Sequence, residues 1–233
     1  MRKNERFIVI DTETANTIEE PLTYDVGFFV MNRKGEIFEE KSLVVYDIYA
    51  KEKDLMKTAY YADKLPKYEE KLKTGERQMV KFFTVKMMIR DLMEKHNTNT
   101  VYAYNMSFDK RALNNTEKYV TDGKYKWFFP KGTDFRCIWN MACQVLLARP
   151  SYINFALENG FVSDADNILT NAECCYRYIT KNVDFEEEHQ GLDDVRIEAE
   201  ILKACFAQHK KMDTSPSACC WRIVQKKRQE MGV

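Results

Sequence analysis

The feature that most constrains the fold is an apolar run, Phe7 to Ile10, which leads directly into the acid-threonine-acid triplet Asp11-Thr12-Glu13. Such a run predicts a strand that is buried on both faces in the middle of a sheet. Because side chains alternate along a strand, Asp11 and Glu13 emerge on the same face. Two neighbouring carboxylates repel each other, and an oxygen-rich site of this kind suits magnesium or manganese. A strand that simply ends in a polar turn is the alternative.

The length and composition are those of a globular domain. The chain has 233 residues, of which 45% are hydrophobic and 13% aromatic, so it can bury a full core. Acidic and basic residues balance at 36 each, which implies that any nucleic-acid-binding surface is a local patch. No apolar run approaches the length of a membrane span, and the charged start leads straight into a core strand. We therefore expect neither membrane insertion nor a signal peptide.

The cysteine pattern argues against disulfides and against zinc. The seven cysteines are an odd number, no pair has C-x-x-C spacing, and four of them form the adjacent pairs Cys174-Cys175 and Cys219-Cys220. Adjacent thiols are poorly placed to bind one zinc ion together. We therefore expect reduced thiols in a cytoplasmic protein.

The strand and helix patterns predict an α/β protein that opens with an antiparallel meander. After the first strand, residues 24–31 and 36–46 predict two more strands joined by a turn that ends in Gly35. Residues 101–104 predict a later buried strand that leads directly into a helix. Apolar periodicity predicts further helices at about residues 79–95, 137–147, 152–159, 171–180 and 186–208.

Residues from about 47 to 78 predict a charged helical insertion. Lysines alternate there with tyrosines, a pattern that can contact single-stranded nucleic acid by charge and stacking. Seven acids are mixed in, so we favour the alternative of a solvated pair of helices. If the segment does bind substrate, neutralising Lys64, Lys67 and Lys71 weakens binding and flattens its salt dependence.

A basic tail is predicted at about residues 209–233. From Lys203 to the end, the chain carries seven basic and two acidic residues. Such a tail could contact a phosphate backbone. It could equally be a final helix whose apolar residues, Trp221, Ile223 and Val224, dock on the core.

Helical periodicity turns two further acids toward the core. Asp109 falls on one stripe with Leu113, and Asp194 falls on one with Ile201. Asp193 belongs to a solvated stripe, where a negative charge near the start of a helix favours the helix dipole. An inward acid needs a partner, so Asp109 and Asp194 are candidates for the same site as the acids of the first strand.

These acids together predict phosphodiester chemistry. Four carboxylates can hold two divalent ions, and such a pair stabilises the attacking and leaving oxygens of an in-line phosphoryl displacement. His189 lies just before the helix that bears Asp194. Its ordinary pKa of about 6.5 suits it to act as a general base near neutral pH.

Three motifs occur in order along the chain: Asp11-Thr12-Glu13-Thr14, Asn105-x-x-x-Asp109 and His189-x-x-x-x-Asp194. In order and spacing they resemble the motifs of the DEDDh 3′→5′ exonuclease family of the DnaQ-like superfamily. The resemblance covers roughly residues 7–206. It implies an RNase H-like fold, which is a mixed five-stranded sheet flanked by helices, with the first three strands antiparallel.

The resemblance also implies roles for eight residues. The implied ligands of two divalent ions, Mg²⁺ or Mn²⁺, are Asp11, Glu13, Asp109 and Asp194. The implied general base is His189. The residues implied to lie beside the terminal nucleotide, or to support that part of the site, are Thr12, Thr14 and Asn105.

The resulting hypothesis is a single-domain, metal-dependent 3′→5′ exonuclease acting on DNA 3′ ends. Single-stranded DNA is the favoured substrate, and a DNA polymerase is a conceivable partner protein. A 3′→5′ exoribonuclease resembling oligoribonuclease is the alternative within the same class, because nothing in the sequence identifies contacts to a 2′-hydroxyl. A non-catalytic module that binds nucleic acid or a polymerase is the alternative from another class.

Overall fold

The computed structural model describes residues 5–187 and 191–233, and a six-stranded mixed sheet forms the centre of these ranges. The strands are β1 Arg6–Ala15, β2 Leu22–Asn32, β3 Ile37–Val45, β4 Gln78–Val80, β5 Thr100–Ala103 and β6 Asp134–Cys137. Their order across the sheet is β4-β3-β2-β1-β5-β6. The first three strands are antiparallel, whereas β5 pairs in parallel with β1, β6 with β5, and β4 with β3. The predicted fold class is confirmed, with one strand more than the five expected.

Helices cover both faces of the sheet. They are α1 Tyr46–Tyr49, α2 Lys53–Met56, α3 Leu65–Thr74, α4 Phe82–Lys95, α5 Met106–Val120, α6 Ile138–Ala142, α7 Pro150–Glu158, α8 Ala172–Thr180, α9 Gly191–Phe206 and α10 Trp221–Met231. A 3₁₀ turn precedes α3, and a π-helical stretch, Cys143–Leu147, extends α6. Buried side chains of α1–α5 share one core with the sheet, and those of α6–α10 share a second core on the opposite face.

β1 lies between these two cores because its side chains are apolar on both faces. Phe7 and Val9 belong to the core of α6–α10, and Ile8 and Ile10 belong to the core of α1–α5. All four side chains are fully buried, and each contributes roughly 1.5–3 kcal/mol of hydrophobic stabilisation. The same alternation continues past the apolar run, so the odd-numbered acids of β1 lie on the face that α9 covers.

Two element boundaries differ from the prediction, and both have local causes. Residues Gln78–Val80, at the junction of the predicted insertion and the predicted helix, pair in parallel with Leu43–Val45 and form the short strand β4. The helix predicted from residue 79 therefore begins at Phe82. The helix predicted from residue 152 begins at Pro150, which lies in the first turn of α7, where the missing N–H of proline costs no hydrogen bond.

The C-terminal region packs on the core as a helix. Val224 of α10 is fully buried in the core of α6–α10, whereas Ile223 is 39% exposed. The side chain of Gln225 accepts a hydrogen bond from the backbone amide of Ile168 at 3.1 Å and donates one to its carbonyl at 2.9 Å. The docked-helix alternative therefore describes residues 221–231.

Two structural features relate to the expected cellular compartment: the state of the cysteine thiols and the length and polarity of the helices. All seven cysteines lie in the described ranges with free thiols, and only Cys219 is exposed. Across residues 5–187 and 191–233, no helix combines the length and the apolar character that a membrane crossing requires.

Candidate active site

A cleft with a volume of about 360 Å³ lies beside the second half of β1. We call it the acidic cleft, because its wall includes six carboxylic acids: Asp11, Glu13, Asp109, Glu187, Asp194 and Glu198. Among the described residues that line it, none is a lysine or an arginine. The cleft therefore concentrates carboxylic acids, with no lysine or arginine among the described residues of its wall.

Three of these acids form a close cluster that could hold a divalent cation. One carboxylate oxygen from each of Asp11, Glu13 and Asp194 lies within 4.8 Å of the other two. β1 supplies the first two on one face, and the first turn of α9 supplies the third. A donor set made only of carboxylate oxygens fits a hard cation such as Mg²⁺ or Mn²⁺. The identity and the number of the ions stay predictions.

Burial and mutual repulsion raise the carboxyl pKa values in the cleft. Burial raises the pKa of Asp11 well above its ordinary value, and the charges of Glu198, Asp109, Glu13 and Asp194 raise it further. Burial also raises the pKa of Glu13, followed by the charge of Asp194 and a hydrogen bond between these two carboxyl groups. Because a bound cation favours the ionised form of its ligands, metal binding would release these protons.

Asp109, the fourth predicted ligand, is held at the cleft by Thr12. Asp109 lies in the first turn of α5 and is 4% exposed. The Thr12 hydroxyl donates a hydrogen bond to its Oδ1 at 3.0 Å. Burial raises the pKa of Asp109 to about 7, although the hydrogen bond from Thr12 lowers it. Thr12 thus positions an acid on α5, on the opposite side of β1 from the face of Asp11.

Thr14 and Asn105, the other predicted substrate-binding residues, also line the acidic cleft. The carbonyl of Thr14 accepts a hydrogen bond from the backbone amide of Tyr60 at 3.3 Å. The carbonyl of Asn105 accepts one from the amide of Phe108 at 2.7 Å, which fixes the start of α5. Among the described residues, the buried Oδ1 of Asn105 has no hydrogen-bond partner. Contact of Thr14 and Asn105 with a nucleotide stays a prediction.

His189 lies outside the described residues, so its role as a general base stays a prediction. The described part of the chain continues two residues later, at Gly191. The Gly191 amide donates a hydrogen bond to Oδ2 of Asp25 at 3.0 Å. Gly191 also packs against Gly27 so closely that a Cβ added to Gly27 would lie 2.1 Å from the carbonyl carbon of Gly191. The start of α9, and with it Asp194, is thereby held against β2.

Asp25 is a buried acid that sequence reasoning missed. It is fully buried, and its Oδ2 accepts hydrogen bonds from Arg77 Nη1 at 2.5 Å and from the Tyr68 hydroxyl at 2.8 Å, besides the Gly191 amide. Arg77 and Tyr68 both belong to the predicted insertion at residues 47–78. The sequence offered no signal for this network, because all three donors lie far from Asp25 along the chain.

Two further acids of the cleft were also missed. Glu198 is 4% exposed, and its Oε2 has no hydrogen-bond partner among the described residues. It follows Asp194 by four residues, one helical turn, so the inward stripe of α9 was a usable signal for it. Glu187 lies just before the start of α9, and burial, followed by the charge of Asp194, raises its pKa to about 8.

The predicted insertion contributes two tyrosines to the wall of the cleft. Tyr60 and Tyr61 both line it, with their ring centroids 4.8 Å apart in an edge-to-face arrangement. Tyr60 is 73% exposed. The segment from 47 to 78 is therefore adjacent to the site, through its aromatic residues as well as through Arg77.

Comparison with known proteins finds similarity in structure but not in sequence. No protein-family model matches it, and neither does any curated protein sequence. A zinc-bound form of Escherichia coli exonuclease I in complex with single-stranded DNA matches with a TM-score of 0.56 and 11% identity, over 88% of this chain and 41% of that chain. The same enzyme in complex with a dA16 oligonucleotide matches with a TM-score of 0.54 and 13% identity, over 96% of this chain and 43% of that chain.

These matches establish the fold. The chain is similar to exonuclease I along most of its own length, and it spans less than half of that enzyme. The similarity agrees with the RNase H-like fold that the sequence motifs imply. The DEDDh assignment and the activity stay predictions, because sequence identities of 11% and 13% carry the comparison no further than the fold.

Proposed function

We propose that this protein is a metal-dependent 3′→5′ exonuclease of the DEDDh type that hydrolyses phosphodiester bonds at DNA 3′ ends. The observation that carries the proposal is the cluster of carboxylate oxygens from Asp11, Glu13 and Asp194, within 4.8 Å of one another. It lies in a cleft without a lysine or arginine among its described lining residues, on a fold similar to that of exonuclease I.

The proposal assigns the four acids Asp11, Glu13, Asp109 and Asp194 to two divalent ions, Mg²⁺ or Mn²⁺. When bound, such ions stabilise negative charge on the attacking and leaving oxygens of a phosphodiester. Thr12 holds the Asp109 carboxylate in place through its hydroxyl. Thr14 and Asn105 line the same wall and would contact or support the terminal nucleotide.

His189 completes the proposal as the general base that accepts a proton from the attacking water. His189→Ala should lower turnover by about 10²–10⁴, the usual scale for loss of general-base catalysis. Stabilisation of the protein by Mg²⁺ should persist in this variant, because the acidic ligands remain. A turnover equal to that of the wild type would remove His189 from the mechanism.

Single-stranded DNA is the favoured substrate because the matched exonuclease I structures are complexes with single-stranded DNA or a dA16 oligonucleotide. RNA stays the alternative substrate, and a DNA polymerase stays a conceivable partner. The free thiols of all seven cysteines suit a reducing compartment such as the cytoplasm.

The decisive experiment measures the shortening of two 5′-labelled DNA substrates, a single strand and a 3′-recessed duplex, in the presence of Mg²⁺, Mn²⁺ or a chelator. We expect a ladder that shortens from the 3′ end and that requires both a metal and Asp11, as tested with Asp11→Ala. Faster turnover of a matched RNA would identify an exoribonuclease. No ladder on either polymer would indicate the non-catalytic binding module.

A further inference from the structure

A second groove, with a volume of about 470 Å³, runs along the outer face of α5 beside the acidic cleft. Its charge is opposite to that of the cleft. The wall of this α5 groove includes four basic side chains and one exposed tryptophan: Lys110, Arg111, Lys118, Lys126 and Trp127. None of its described lining residues is acidic. In a chain with no net charge, this is a local basic surface.

The four cations of the α5 groove are available to an external anion. Within residues 5–187 and 191–233, none of them forms an ion pair with a carboxylate. By contrast, Lys64 and Lys71 of the predicted insertion lie 3.9 Å from Asp63 and 3.5 Å from Asp193. Two of the three lysines singled out from the sequence as substrate-binding candidates are thus partly neutralised.

Trp127 is an exposed aromatic ring on an immobilised backbone. The residue is 67% exposed, although a tryptophan gains much stability from burial. Its carbonyl accepts a hydrogen bond from Lys86 Nζ at 3.1 Å, and the next amide, of Phe128, donates one to Asn114 Oδ1 at 3.0 Å. Phe128 is itself buried. A ring fixed in this way offers a flat surface on which a base can stack.

The α5 groove adjoins the acidic cleft. Arg111, which lines the groove, donates a hydrogen bond to the carbonyl of Ile18 at 3.0 Å, and Ile18 lines the cleft. Asp109 in the cleft and Lys110 in the groove are neighbours on α5. Lys118 lies two turns further along this helix, about 12 Å from Lys110 along its axis. A strand in the groove would therefore end in the cleft.

We propose that the α5 groove binds the single-stranded nucleic acid that leads into the acidic cleft. Lys110, Lys118 and Lys126 contact its phosphates, and Trp127 stacks on one of its bases. The combination of a basic track and an aromatic platform is how proteins bind single strands without reading their sequence. The proposal rests on the proposed function, because it takes the acidic cleft as the end of the path.

The charge part of the proposal is tested by binding of a fluorescent oligo-dT with Ca²⁺ in place of Mg²⁺, over a range of salt concentrations. The triple variant Lys110→Gln, Lys118→Gln, Lys126→Gln should bind roughly 10–100-fold more weakly. Its salt slope should fall by about two, since each phosphate contact contributes about 0.7 on a single strand. The matched control, Lys34→Gln, Lys41→Gln, Lys81→Gln, removes the same charge from exposed positions outside the groove and the cleft and should bind like the wild type.

The stacking part is tested by Trp127→Ala beside Trp127→Phe. Loss of one stacked base should weaken oligo-dT binding by roughly 5–150-fold in Trp127→Ala, and much less in Trp127→Phe. The proposal would be overturned if the lysine control and the lysine groove variant weakened oligo-dT binding equally. Wild-type affinity for oligo-dT in the groove variants would overturn it as well. Equally strong displacement of oligo-dT by polyglutamate would indicate a general polyanion site and would overturn the stacking part.

Turnover of a small chromogenic phosphodiester separates this proposal from the proposed function. Such an ester reaches the acidic cleft without occupying the α5 groove, so the groove variants should hydrolyse it as the wild type does. If the wild type binds oligo-dT through the groove but hydrolyses neither ester nor oligonucleotide, the proposed function fails alone. If the wild type hydrolyses the ester but the groove variants keep wild-type binding and cleavage of oligo-dT, the groove proposal fails alone.

Discussion

Asp25 and Glu13 lie opposite each other in the β1–β2 pairing, yet the surroundings of their two carboxylates differ. Oδ2 of Asp25 accepts three hydrogen bonds, from Arg77, Tyr68 and the Gly191 amide. Glu13 lies among other acids, and burial and the charge of Asp194 raise its pKa. One acid is neutralised by the fold, whereas the other belongs to a cluster whose wall, as far as described, offers no lysine or arginine.

This difference separates a structural acid from a candidate functional one. A buried carboxylate that is paired and hydrogen-bonded holds elements together, here the insertion, β2 and the start of α9. A cluster of acids that repel one another costs stability unless a cation from solution binds there. The two kinds of site should therefore respond with opposite signs to the loss of one negative charge.

The largest expected effect is on the Asp25 side of this comparison. Asp25→Asn should lower the free energy of unfolding by about 3–5 kcal/mol, because it leaves the Arg77 guanidinium buried without its counterion. Glu13→Gln in the cluster should keep or raise the stability of the metal-free protein, because a neutral amide neither repels the other acids nor has to take up a proton on folding. Urea unfolding of both variants in the presence of a chelator measures the two effects.

A double variant checks the cause of the Asp25 effect. Asp25→Asn combined with Arg77→Met removes both charges, so it should recover part of the loss if the unpaired guanidinium is responsible. Equal destabilisation by Asp25→Asn and Glu13→Gln would contradict the distinction between the two acids.

A smaller effect is expected from metal binding to the cluster. A ligand that binds only the native state at a hundred times its Kd adds about 2.7 kcal/mol to stability. Mg²⁺ or Mn²⁺ should therefore raise the Tm of the wild type, and Asp11→Asn should abolish most of this rise. Asp54→Asn, which removes an exposed acid of α2 outside the cleft, is the matched control and should keep it. An equal rise in Tm in Asp11→Asn and the wild type would place metal binding elsewhere.

The acids of the cleft could largely be predicted from the sequence, because the patterns that indicate them are local. The apolar run before Asp11 predicted a central strand, and helical periodicity turned Asp109 and Asp194 toward the core, where the structure places them. The same periodicity would have found Glu198, since it lies one turn after Asp194. Local patterns of this kind depend only on residues within a few positions of one another.

The rest depends on contacts between distant residues. Asp25 and Arg77 are separated by 52 positions, and neither has a local pattern that predicts their ion pair. β4 has three residues, too few to show an alternating pattern, and exists because it pairs with β3. The α5 groove combines three cations of one helix with Lys126 and Trp127 from the loop that follows it, so composition alone, with its balanced charge, could not reveal it.

The last expected effect is the pH dependence of stability, and its sign follows from the carboxyl pKa values in the cleft. The pKa is about 7 for Asp109 and about 8 for Glu187 in the folded protein, above the ordinary carboxyl range near 4. At a pH between the unfolded and the folded pKa of these two carboxyl groups, the folded chain binds more protons than the unfolded chain. The free energy of unfolding therefore falls as the pH rises. The Tm of the metal-free protein should therefore decrease from pH 5 to pH 8.

Two changes should flatten this pH dependence. Glu198→Gln removes one of the repelling acids, since the charge of Glu198 raises the pKa of Asp11. Saturating Mg²⁺ stabilises the ionised carboxylates, so the folded protein would release its extra protons. Asp213→Asn is a suitable control and should keep the pH dependence. Hydrogen bonds from Ser215 lower the pKa of Asp213, so this group titrates below the range from pH 5 to pH 8. A Tm that rises from pH 5 to pH 8 without metal, or that falls equally in Glu198→Gln, would mean that repulsion in the acidic cleft does not limit stability.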